Sequence, residues 1–600
     1  FSKVPFLKFI RATYSFTGDF QWQRSSAQFS NIPITLSDGT EGIYNLGNTI
    51  QNANTHRINS TFDMNNFYKY IGLSKKKNTR TSAGGNKFNN AKGDAGGKGG
   101  NSKSGGDKKS GKGGRGKGDD DPLSLAGGDD GKGGKGGKGR NGGSSGSLNA
   151  GDKALNTVIG LATSIKKIQL NYQENNGIYL PGYTPSIGFI GTLQPTAGFT
   201  FGSQAEVRDL AARKGWLTLY PEFNDQYTEV ESRQLDVQAN IELLPDLKID
   251  LNGRRVYSEN YAENYIVEDD EYRSLTPNAF GNFNITTILI GTSFGSNTDV
   301  TSAAFEDFRG NRLVVADRLA TDFYGSAAFP RDEEGYPVGF GKESQDVLLP
   351  AFLSAYKGSD PSKEKTGILR DVPLPNWDMK YTGLMRLKWF KKRFRRFSIQ
   401  HGYRADYTVN QFQTNLDFDT NDPQATDQAG NFKSKVLLTN INLTEQFSPL
   451  VRIDFEMKNS IKILAEYRKD RALSLSFANT LLTEIKGDEI IIGFGYRVKD
   501  LKIGTNFGGK KTVLKSDLNF KLDISRRENR TVIRYLDVNN NQTTAGQTIY
   551  GLQLSTDYAL SKNLTALFYY DHSFSEYAIS TAFPQTTIRG GFTLRYNFGN

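Results

Sequence analysis

Apolar and polar residues alternate along most of the chain. In residues 587–598, apolar and small side chains occupy one set of alternate positions, and Thr, Arg and Asn dominate the other. Residues 10–22 repeat this arrangement, and roughly fourteen to sixteen segments follow it, most near the ~9–11 residues that a tilted transmembrane strand needs. A period of two is that of a β-strand, in which successive side chains point to opposite faces. We therefore predict an all-β fold.

One pair of segments predicts how neighbouring strands are joined. Residues 235–243 and 247–251 both alternate, and Pro245 and Asp246 lie between them. Because Pro and Asp favour turns, the two segments are predicted to form an antiparallel hairpin with a tight connection. Other short connections are predicted at residues 499–500 and 560–563, and very long ones at residues 296–378 and 411–431.

Alternation alone does not decide whether the apolar face meets lipid or the core of a soluble β-rich protein. Three features favour lipid. Short and long connections coexist, as in barrels with short periplasmic turns and long outer loops. Aromatic residues make up 12% of the chain, and many lie at predicted strand ends, where an aromatic girdle would form: Tyr257, Tyr261, Trp389, Phe390, Tyr569 and Tyr570. The last segment, with Phe592, Leu594, Tyr596 and Phe598, looks like the C-terminal signal that the outer-membrane barrel assembly machinery reads.

The sequence thus predicts a transmembrane antiparallel β-barrel with long, partly helical loop insertions. Its polar face, rich in Lys, Asp, Asn, Gln and Thr, would be costly in lipid and must face water. A wide polar lumen follows. The residues expected to face this lumen are Lys248, Asp250, Asn252, Lys515, Asp517 and Asn519.

The net charge of +11 is concentrated in one segment. Residues 75–150 contain 17 Lys or Arg and 7 Asp, which leaves 58 cations and 57 anions in the rest of the chain. The same segment holds 25 of the 64 glycines and very few apolar residues, so we expect it to be disordered. Because it has few aromatic residues to stack on bases, we interpret it as a flexible loop and expect no nucleic-acid partner.

Five regions are predicted along the chain. They are residues 1–74 (barrel strands), 75–150 (disordered Gly/Lys-rich insertion), 151–294 (amphipathic helix and barrel strands), 295–378 (long loop or lumen insertion with short helices) and 379–600 (C-terminal barrel strands). Within the fourth region, helices are predicted at residues 316–323 and 345–356. A loop this long in a compact body is expected either to cap the pore or to fold into the lumen.

Residues 388–397 form a basic turn with interleaved aromatic residues. Such a turn suits binding of a lipid phosphate or an acidic partner. The simpler interpretation, which we favour, is an interfacial turn in which long cations and aromatic rings are ordinary.

The chain offers little chemistry for catalysis. It has no cysteine, so it lacks disulfides, thiolate metal ligands and a cysteine nucleophile. Its three histidines, His56, His401 and His572, have no second ligand at metal-binding spacing. Residues 417–421 begin like a calcium loop, but Asp422 and Gln428 replace the required Gly and Glu. Phosphate-binding and hydrolase motifs are absent, so we expect neither a cofactor nor enzymatic activity.

Several short motifs are spaced along the chain: residues 46–52 (Leu-Gly-Asn-Thr-Ile-Gln-Asn), 180–183 (Leu-Pro-Gly-Tyr), 186–191 (Ser-Ile-Gly-Phe-Ile-Gly), 201–204 (Phe-Gly-Ser-Gln), 468–477 and 482–489. Together they resemble the C-terminal part of the SprA/Sov family, the outer-membrane translocons of the type IX secretion system. The resemblance covers most of the chain except the Gly/Lys-rich insertion.

This resemblance implies a function beyond what the residues themselves indicate. Family members form one very large barrel, with more than twice the strands available here, whose lumen passes folded cargo proteins with C-terminal signal domains. A plug protein and a lateral PorV-like barrel protein gate it, and an inner-membrane motor supplies the energy. The resemblance therefore implies a multi-pass protein of the cell outer membrane that acts in secretion and in gliding motility. It also implies that the chain is a fragment whose residues 1–70 pair with strands outside it.

Two other classes of function remain open at this point. A TonB-dependent receptor or porin-like barrel would close on itself, with its first strand paired to its last. A soluble β-rich surface adhesin would show a repeat of about 100 residues, and no internal period is present.

Overall fold

The computed structural model describes residues 7–73, 158–187, 193–295 and 301–598, together with Asn156 and Thr298. Short gaps within these ranges are residues 27, 29–31, 36–38, 40, 508–509, 539, 562 and 580–581. The predicted disordered insertion at residues 75–150 lies outside the described residues. Of the predicted amphipathic helix that follows it, residues 158–162 are helical.

Twenty strands occur in the described part of the chain. They are β1 (Ile10–Gln23), β2 (Ile32–Thr35), β3 (Glu41–Tyr44), β4 (Asn48–Asp63), β5 (Ile165–Tyr183), β6 (Tyr227–Leu244), β7 (Leu247–Glu263), β8 (Tyr265–Glu268), β9 (Glu271–Ser274), β10 (Asn278–Thr286), β11 (Asn376–Tyr381), β12 (Phe394–Thr414), β13 (Val436–Leu438), β14 (Asn440–Met457), β15 (Ile461–Ser476), β16 (Leu481–Phe507), β17 (Lys510–Tyr535), β18 (Asn541–Ala559), β19 (Leu564–Tyr577) and β20 (Gln585–Tyr596).

Sixteen of these strands form one sheet whose neighbours follow the order of the chain. The order is β1-β4-β5-β6-β7-β10-β12-β14-β15-β16-β17-β18-β19-β20, with β11 and β13 paired beside this path. All strand pairings in the described residues are antiparallel, as in an up-and-down barrel. The predicted fold class is therefore confirmed: the chain is all-β and antiparallel and carries long, partly helical insertions.

One position in the sheet is shared by two strands. β10 pairs with one half of β7, from Asn278 opposite Ala262, and β11 pairs with the other half, from Asn376 opposite Asn252. Both also pair with β12. The chain thus leaves the sheet at mid-height after β10, forms a helical insertion over residues 287–375, and returns to the same position as β11.

Six helices are labelled here: α1 (Met64–Tyr70), α2 (Ala197–Thr200), α3 (Arg208–Arg213), α4 (Ala303–Tyr324), α5 (Gln345–Lys357) and α6 (Lys388–Arg393). The two longest lie in the helical insertion, as predicted, but α4 is much longer than the eight residues expected. Ser302 caps its first turn by accepting a hydrogen bond from the Phe305 N–H, and Gly325 ends it in the left-handed conformation. Charged residues interrupt its apolar pattern, so the sequence revealed only its last part.

The helical insertion packs against the apolar face of the sheet. Phe308 and Phe352, from α4 and α5, are buried in one core with Tyr403, Tyr407 and Leu443 of the neighbouring strands. Tyr403 lies opposite Phe447 and Tyr407 lies opposite Leu443, so the covered surface consists of apolar rows and not of the polar residues predicted to line a lumen. The insertion thus packs on the face opposite to the residues predicted to line a lumen, because its apolar core needs an apolar surface to cover.

Two further expectations require correction. Strands β16 and β17 have 27 and 26 residues, well beyond a membrane-spanning length, because they continue past the apolar part of the sheet. The predicted turn at residues 499–500 is instead a β-bulge within β16. There the register with β17 shifts between Val498 and Leu501, and Asp500 takes a positive φ of 54°.

The short connections at residues 245–246, 458–460 and 560–563 lie at one end of the sheet, here called the short-turn end. The predicted hairpin of β6 and β7 is present, with Asp246 at φ 68°. The chain also leaves β4 and enters β5 at this end, since Asp63 lies opposite Lys167 and Ile165 lies opposite Ile241. The residues that flank the Gly/Lys-rich insertion therefore belong to the short-turn end.

Candidate functional site

One face of the sheet carries a continuous belt of apolar side chains. Because cross-strand partners point to the same face, the register identifies the members of each row. One row crosses β12 to β20 through Ile399, Ile453, Ala465, Ile492, Ile524, Leu552, His572 and Ile588. A second row crosses β1 to β12 through Ile10, Phe62, Ile168, Ala239, Leu251, Trp377 and Tyr403. Together they reach every strand position and define the apolar belt.

Many side chains of the apolar belt are exposed rather than packed against a second layer. Ile492 is 54% exposed, Ile524 48% and Ile588 61%. A contiguous apolar surface of this extent marks contact with lipid or with another protein. A soluble sandwich would bury these residues, so the belt favours a lipid-facing surface.

The opposite face, here called the polar face, carries charged and hydroxyl side chains. The row next to the belt row consists of Gln400, Arg452, Glu466, Ile491, Ser525, Gly551, Ser573 and Thr587. Charged side chains on a lipid-facing surface cost about 2–4 kcal/mol each near the bilayer centre. The polar face is therefore suited to water, and the two faces differ along the whole sheet.

Ion pairs connect strands across the polar face and form a ladder; four join neighbouring strands, and the pair of Arg527 and Asp470 reaches from β17 across β16 to β15. The nitrogen-to-oxygen distances are 3.5 Å for Arg404 and Asp378, 3.4 Å for Arg396 and Asp454, 3.4 Å for Arg452 and Glu466, 3.3 Å for Arg468 and Glu489, and 3.3 Å for Arg527 and Asp470. Its members come from β11, β12, β14, β15, β16 and β17. Because cations and anions alternate, the ladder gives a hydrated surface without a strong field of either sign.

The three residues of β7 predicted to face the lumen lie on the polar face. Lys248, Asp250 and Asn252 are exposed and alternate with belt residues along the strand. Asp250 lies opposite Asp378 of the ladder and accepts a hydrogen bond of 2.6 Å from the Asn240 amide. They belong to the same surface as the ladder.

The three predicted residues of β17 share that face but lie six strand positions away. Lys515 is 3.4 Å from Asp500, at the bulge that replaces the predicted turn. Asp517 accepts hydrogen bonds from Arg497 at 2.8 Å and from the Asp500 N–H at 2.9 Å. The Asn519 amide donates to Asp557 at 2.8 Å. The structure therefore does not gather the six predicted residues into one compact site; it spreads them along one surface.

The predicted assembly strand corresponds to β20. Phe592, Leu594 and Tyr596 lie opposite Phe568, Ala566 and Leu564 and belong to the apolar belt. Phe598 follows the end of the strand and is almost fully exposed, with its ring 4.7 Å from that of Tyr596. Within the described residues, β20 pairs with β19 only.

Sequence analysis missed a group of four charged residues on the apolar face, Glu445, Arg471, Glu484 and Arg534, here called the buried charge cluster. Glu445 and Arg471 are 3.0 Å apart and nearly fully buried. Glu445 also accepts hydrogen bonds from Tyr403 at 2.8 Å and Ser293 at 2.6 Å. Arg471 donates to the Thr292 carbonyl at 3.2 Å. The pair thus attaches the start of the helical insertion to β14 and β15.

The second pair of the buried charge cluster is completely inaccessible. Glu484 and Arg534 are 2.8 Å apart and both side chains are 0% exposed. Arg534 also donates to the Thr298 carbonyl at 3.1 Å and lies over the Phe305 ring. A signal existed in the sequence, because each of these charges occupies a position where the alternation calls for an apolar side chain.

Ionisable groups inside the helical insertion are shifted by burial and by their partners. Burial would raise the pKa of Glu364, but Lys357 at 2.8 Å and Arg370 at 3.2 Å hold it below its ordinary value. Burial lowers the pKa of Lys357, and the ion pair with Glu364 offsets only part of this decrease. Burial raises the pKa of Asp346 despite a 2.7 Å hydrogen bond from Ser434. These contacts hold the insertion together and form no reactive pair.

Neither metal-binding nor helical membrane-spanning features occur in the described part of the chain. No three His, Cys, Asp or Glu side chains gather there as a metal site would need. No helix among those residues is both long enough and apolar enough to cross a membrane.

Comparison with known proteins gives distant structural resemblances, among them an import receptor and an outer membrane protein. No family model and no curated protein matches the chain. The ferric-catecholate import receptor Fiu from E. coli K12, in its closed form, aligns over 95% of this chain and 65% of its own, at 8% identity and a TM-score of 0.20. OmpT, an outer membrane protein of Vibrio cholerae, aligns over 62% and 94%, at 11% identity and a TM-score of 0.16. The chain spans less than two thirds of the receptor's length. TM-scores this low do not establish a shared fold, so the fold assignment rests on the strand order and on the two faces of the sheet.

Proposed function

We propose that this chain forms part of the wall of a protein-conducting channel in the cell outer membrane, of the type IX secretion class. The observation that carries the proposal is the two-faced sheet. The apolar belt suits lipid at every strand position, and the polar face with its ion-pair ladder suits a wide, water-filled passage. Both faces follow from one alternating pattern, so no separate domain is needed to make the channel.

The two edge strands of the sheet favour a passage that is wider than the passage of a porin. Fourteen strand positions at about 4.8 Å make a wall of roughly 67 Å. Among the described residues, β1 pairs only with β4 and β20 only with β19. In lipid each unpaired backbone group costs several kcal/mol, so both edges need partners. Further strands at these edges would widen the wall beyond the 16 to 18 strands that give a small aqueous channel.

The proposed partners follow from this role. Outer-membrane lipid covers the apolar belt, and the barrel assembly machinery reads β20. Folded cargo with C-terminal signal domains passes the polar face, under the control of a plug protein and a lateral PorV-like barrel protein. The chain itself supplies a surface rather than a reaction, which fits the balanced charges of the ladder.

Cysteine cross-linking tests the width of the wall. The chain has no cysteine, so pairs can be introduced without background. We would place one cysteine at Thr13 or Thr17 of β1 and one at Thr587 or Thr593 of β20, and oxidise the protein in the outer membrane. A translocon wall should give no intrachain bond for any pair. A porin or receptor that closes on itself should give an efficient bond for at least one pair, and that result would contradict the proposal.

Cargo export tests the function itself. Depletion of the protein should abolish surface display of folded proteins that carry the C-terminal signal domain. Uptake of ferric chelates should remain unchanged. Loss of uptake with normal export would instead indicate a receptor.

A further inference from the structure

Residues 386–397, here called the basic aromatic segment, lie at the short-turn end of the sheet. They contain seven Lys or Arg residues and four aromatic residues, with no Asp or Glu. The segment comprises Arg386 at the end of a 3-10 helix, α6, and the start of β12. It is the densest positive charge in the described part of the chain that also carries exposed aromatic rings, so its surroundings decide what it can bind.

The aromatic rings extend the apolar belt to the short-turn end. Phe397 stacks on Phe455 with a centroid distance of 5.9 Å, and Phe390 lies 5.0 Å from both Phe397 and Trp389. Phe455 is itself a belt residue opposite Ile463 of β15. At the outer end of this series Trp389 is 51% exposed. A lipid layer that covers the belt would therefore reach the Trp389 ring.

Four cations of α6, the helix that carries this ring, have no ionic partner among the described residues. Lys388, Lys391, Lys392 and Arg393 are exposed, and none forms an ion pair with the described residues. The Arg393 guanidinium lies 4.4 Å above the centre of the Trp389 ring. By contrast, the neighbouring arginines are paired: Arg386 with Asp246, Arg395 with Glu456 and Arg396 with Asp454.

The next turn adds a fifth cation to the same surface. The Lys458 N–H donates a 3.0 Å hydrogen bond to the Arg393 carbonyl, which fixes the turn between β14 and β15 against the basic aromatic segment. The Lys458 side chain is exposed. Exposed cations therefore lie on two turns that are hydrogen-bonded to each other, one of which carries an exposed tryptophan at the edge of the apolar belt.

We propose that the basic aromatic segment binds the phosphate of anionic phospholipids in the leaflet at the short-turn end. The cations supply donors for phosphate, and Trp389 and Leu387 lie against the glycerol and upper acyl region. We favour lipid over an acidic protein because the aromatic rings of the basic aromatic segment are continuous with the apolar belt. The inference rests on the proposed membrane placement of the belt.

Fluorescence quenching by brominated lipids tests this site. Trp22, Trp216 and Trp377 are replaced by Phe, so that Trp389 is the only tryptophan, and the chain is placed in phosphatidylcholine bilayers with increasing brominated phosphatidylglycerol. The test variant is Lys388→Gln, Lys391→Gln and Lys392→Gln. The control, with the same change of charge at exposed positions elsewhere, is Arg213→Gln, Lys214→Gln and Lys363→Gln. Because loss of three tryptophans could weaken folding, native mass spectrometry of the chain with all its tryptophans measures retained phosphatidylglycerol in parallel.

The expected relative association constant for phosphatidylglycerol over phosphatidylcholine at Trp389 is about fivefold or more, since each cation near the surface contributes roughly that factor. It should fall at least about fivefold in the test variant, in which Arg393 and Lys458 remain, fall to about one in ~1 M salt, and stay unchanged in the control. Inorganic phosphate should not compete with phosphatidylglycerol, so its addition should leave this preference unchanged. Equal affinity for both lipids in the parent, or an undiminished preference in the test variant, overturns the proposal. A chain that fails to float with the bilayers overturns the membrane placement as well, which separates the two failures.

Discussion

Single residues on the apolar face determine how the helical insertion is held. The buried charge cluster places two cations and two anions where neighbouring positions carry Leu and Phe. Buried ion pairs contribute little net stability, but removal of one partner is costly because a charge remains unpaired in a dry environment. The cluster is therefore better explained as a device that fixes the position of the insertion than as a source of stability.

Replacement of Arg534 should release the insertion. Arg534→Met leaves Glu484 with only Lys486, at 3.1 Å, and removes the hydrogen bond to Thr298. We expect a loss of about 3 kcal/mol in the free energy of unfolding of the insertion, measured by hydrogen exchange in α4. The double variant Glu484→Gln, Arg534→Met should regain most of it. Arg404→Met, which breaks an exposed pair, should cost less than about 1 kcal/mol. Equal losses in both single variants would contradict this role.

Asp346 should make the stability of the insertion depend on pH. Its folded pKa is raised above the ordinary value of 3.8, so the folded state binds more protons than the unfolded state in that window. Stability is therefore fully present below pH 3.8 and falls as pH rises through the folded pKa. Asp346→Asn should raise the melting temperature near neutral pH, with no gain in strong acid. Trp377 emission reports the transition, since its ring stacks on Tyr403 at 4.4 Å.

Asp371 provides a control, because its effect on the pH dependence of stability has the opposite sign to that of Asp346. A hydrogen bond from Lys365 lowers the pKa of Asp371, so its stabilisation is present above its ordinary pKa and is lost as pH falls through the folded value. Asp371→Asn should therefore lower the melting temperature slightly near neutral pH. A higher melting temperature near neutral pH in both variants would show that the burial of Asp346 is not the cause of the increase in Asp346→Asn.

Individual elements differ in how far the sequence predicted them. Period-two alternation identified strands such as β6, β7 and β20 because a strand exposes alternate side chains whatever covers them. The sequence did not predict that β10 and β11 share one position in the sheet, since the whole helical insertion separates the two strands along the chain. Only the folded structure shows that Asn376 lies opposite Asn252. The sequence also does not show which face of the sheet the insertion covers. The alternation around Tyr403 and Tyr407 cannot reveal that helices cover them, because a helix and lipid satisfy an apolar face in the same way.

Deletion of the Gly/Lys-rich insertion tests the element-level organisation at the short-turn end. Removal of residues 75–147 should leave outer-membrane assembly intact, because β4 and β5 pair through residues outside that range, from Asp63 opposite Lys167 to Asn48 opposite Tyr183. Heat-modifiable migration and protease resistance of the outer-membrane fraction measure assembly. Loss of membrane insertion in the deletion would show that the segment does more than connect two strands.

The molecule as a whole is a wall with two chemically different sides. The apolar belt alone would suit any membrane barrel, and the polar face alone would suit many soluble sheets. Their coincidence at every strand position, over long antiparallel strands, restricts the molecule to a boundary between lipid and water. The candidate site is correspondingly an extended surface and not a compact cluster of side chains.

Cysteine accessibility in intact membranes tests this two-sidedness with adjacent residues. Asp250→Cys and Asn519→Cys place a thiol on the polar face, whereas Ile249→Cys and Phe520→Cys, one residue away, place it on the apolar belt. A membrane-impermeant maleimide should label the first pair rapidly and the second pair at least about tenfold more slowly, because thiolate formation is suppressed in lipid. The difference in labelling rate between the two pairs should become smaller with a lipid-soluble maleimide, and also after detergent extraction. Equal labelling of all four thiols before extraction would mean that water reaches both faces, and the wall would then be a soluble sheet whose belt meets protein instead of lipid.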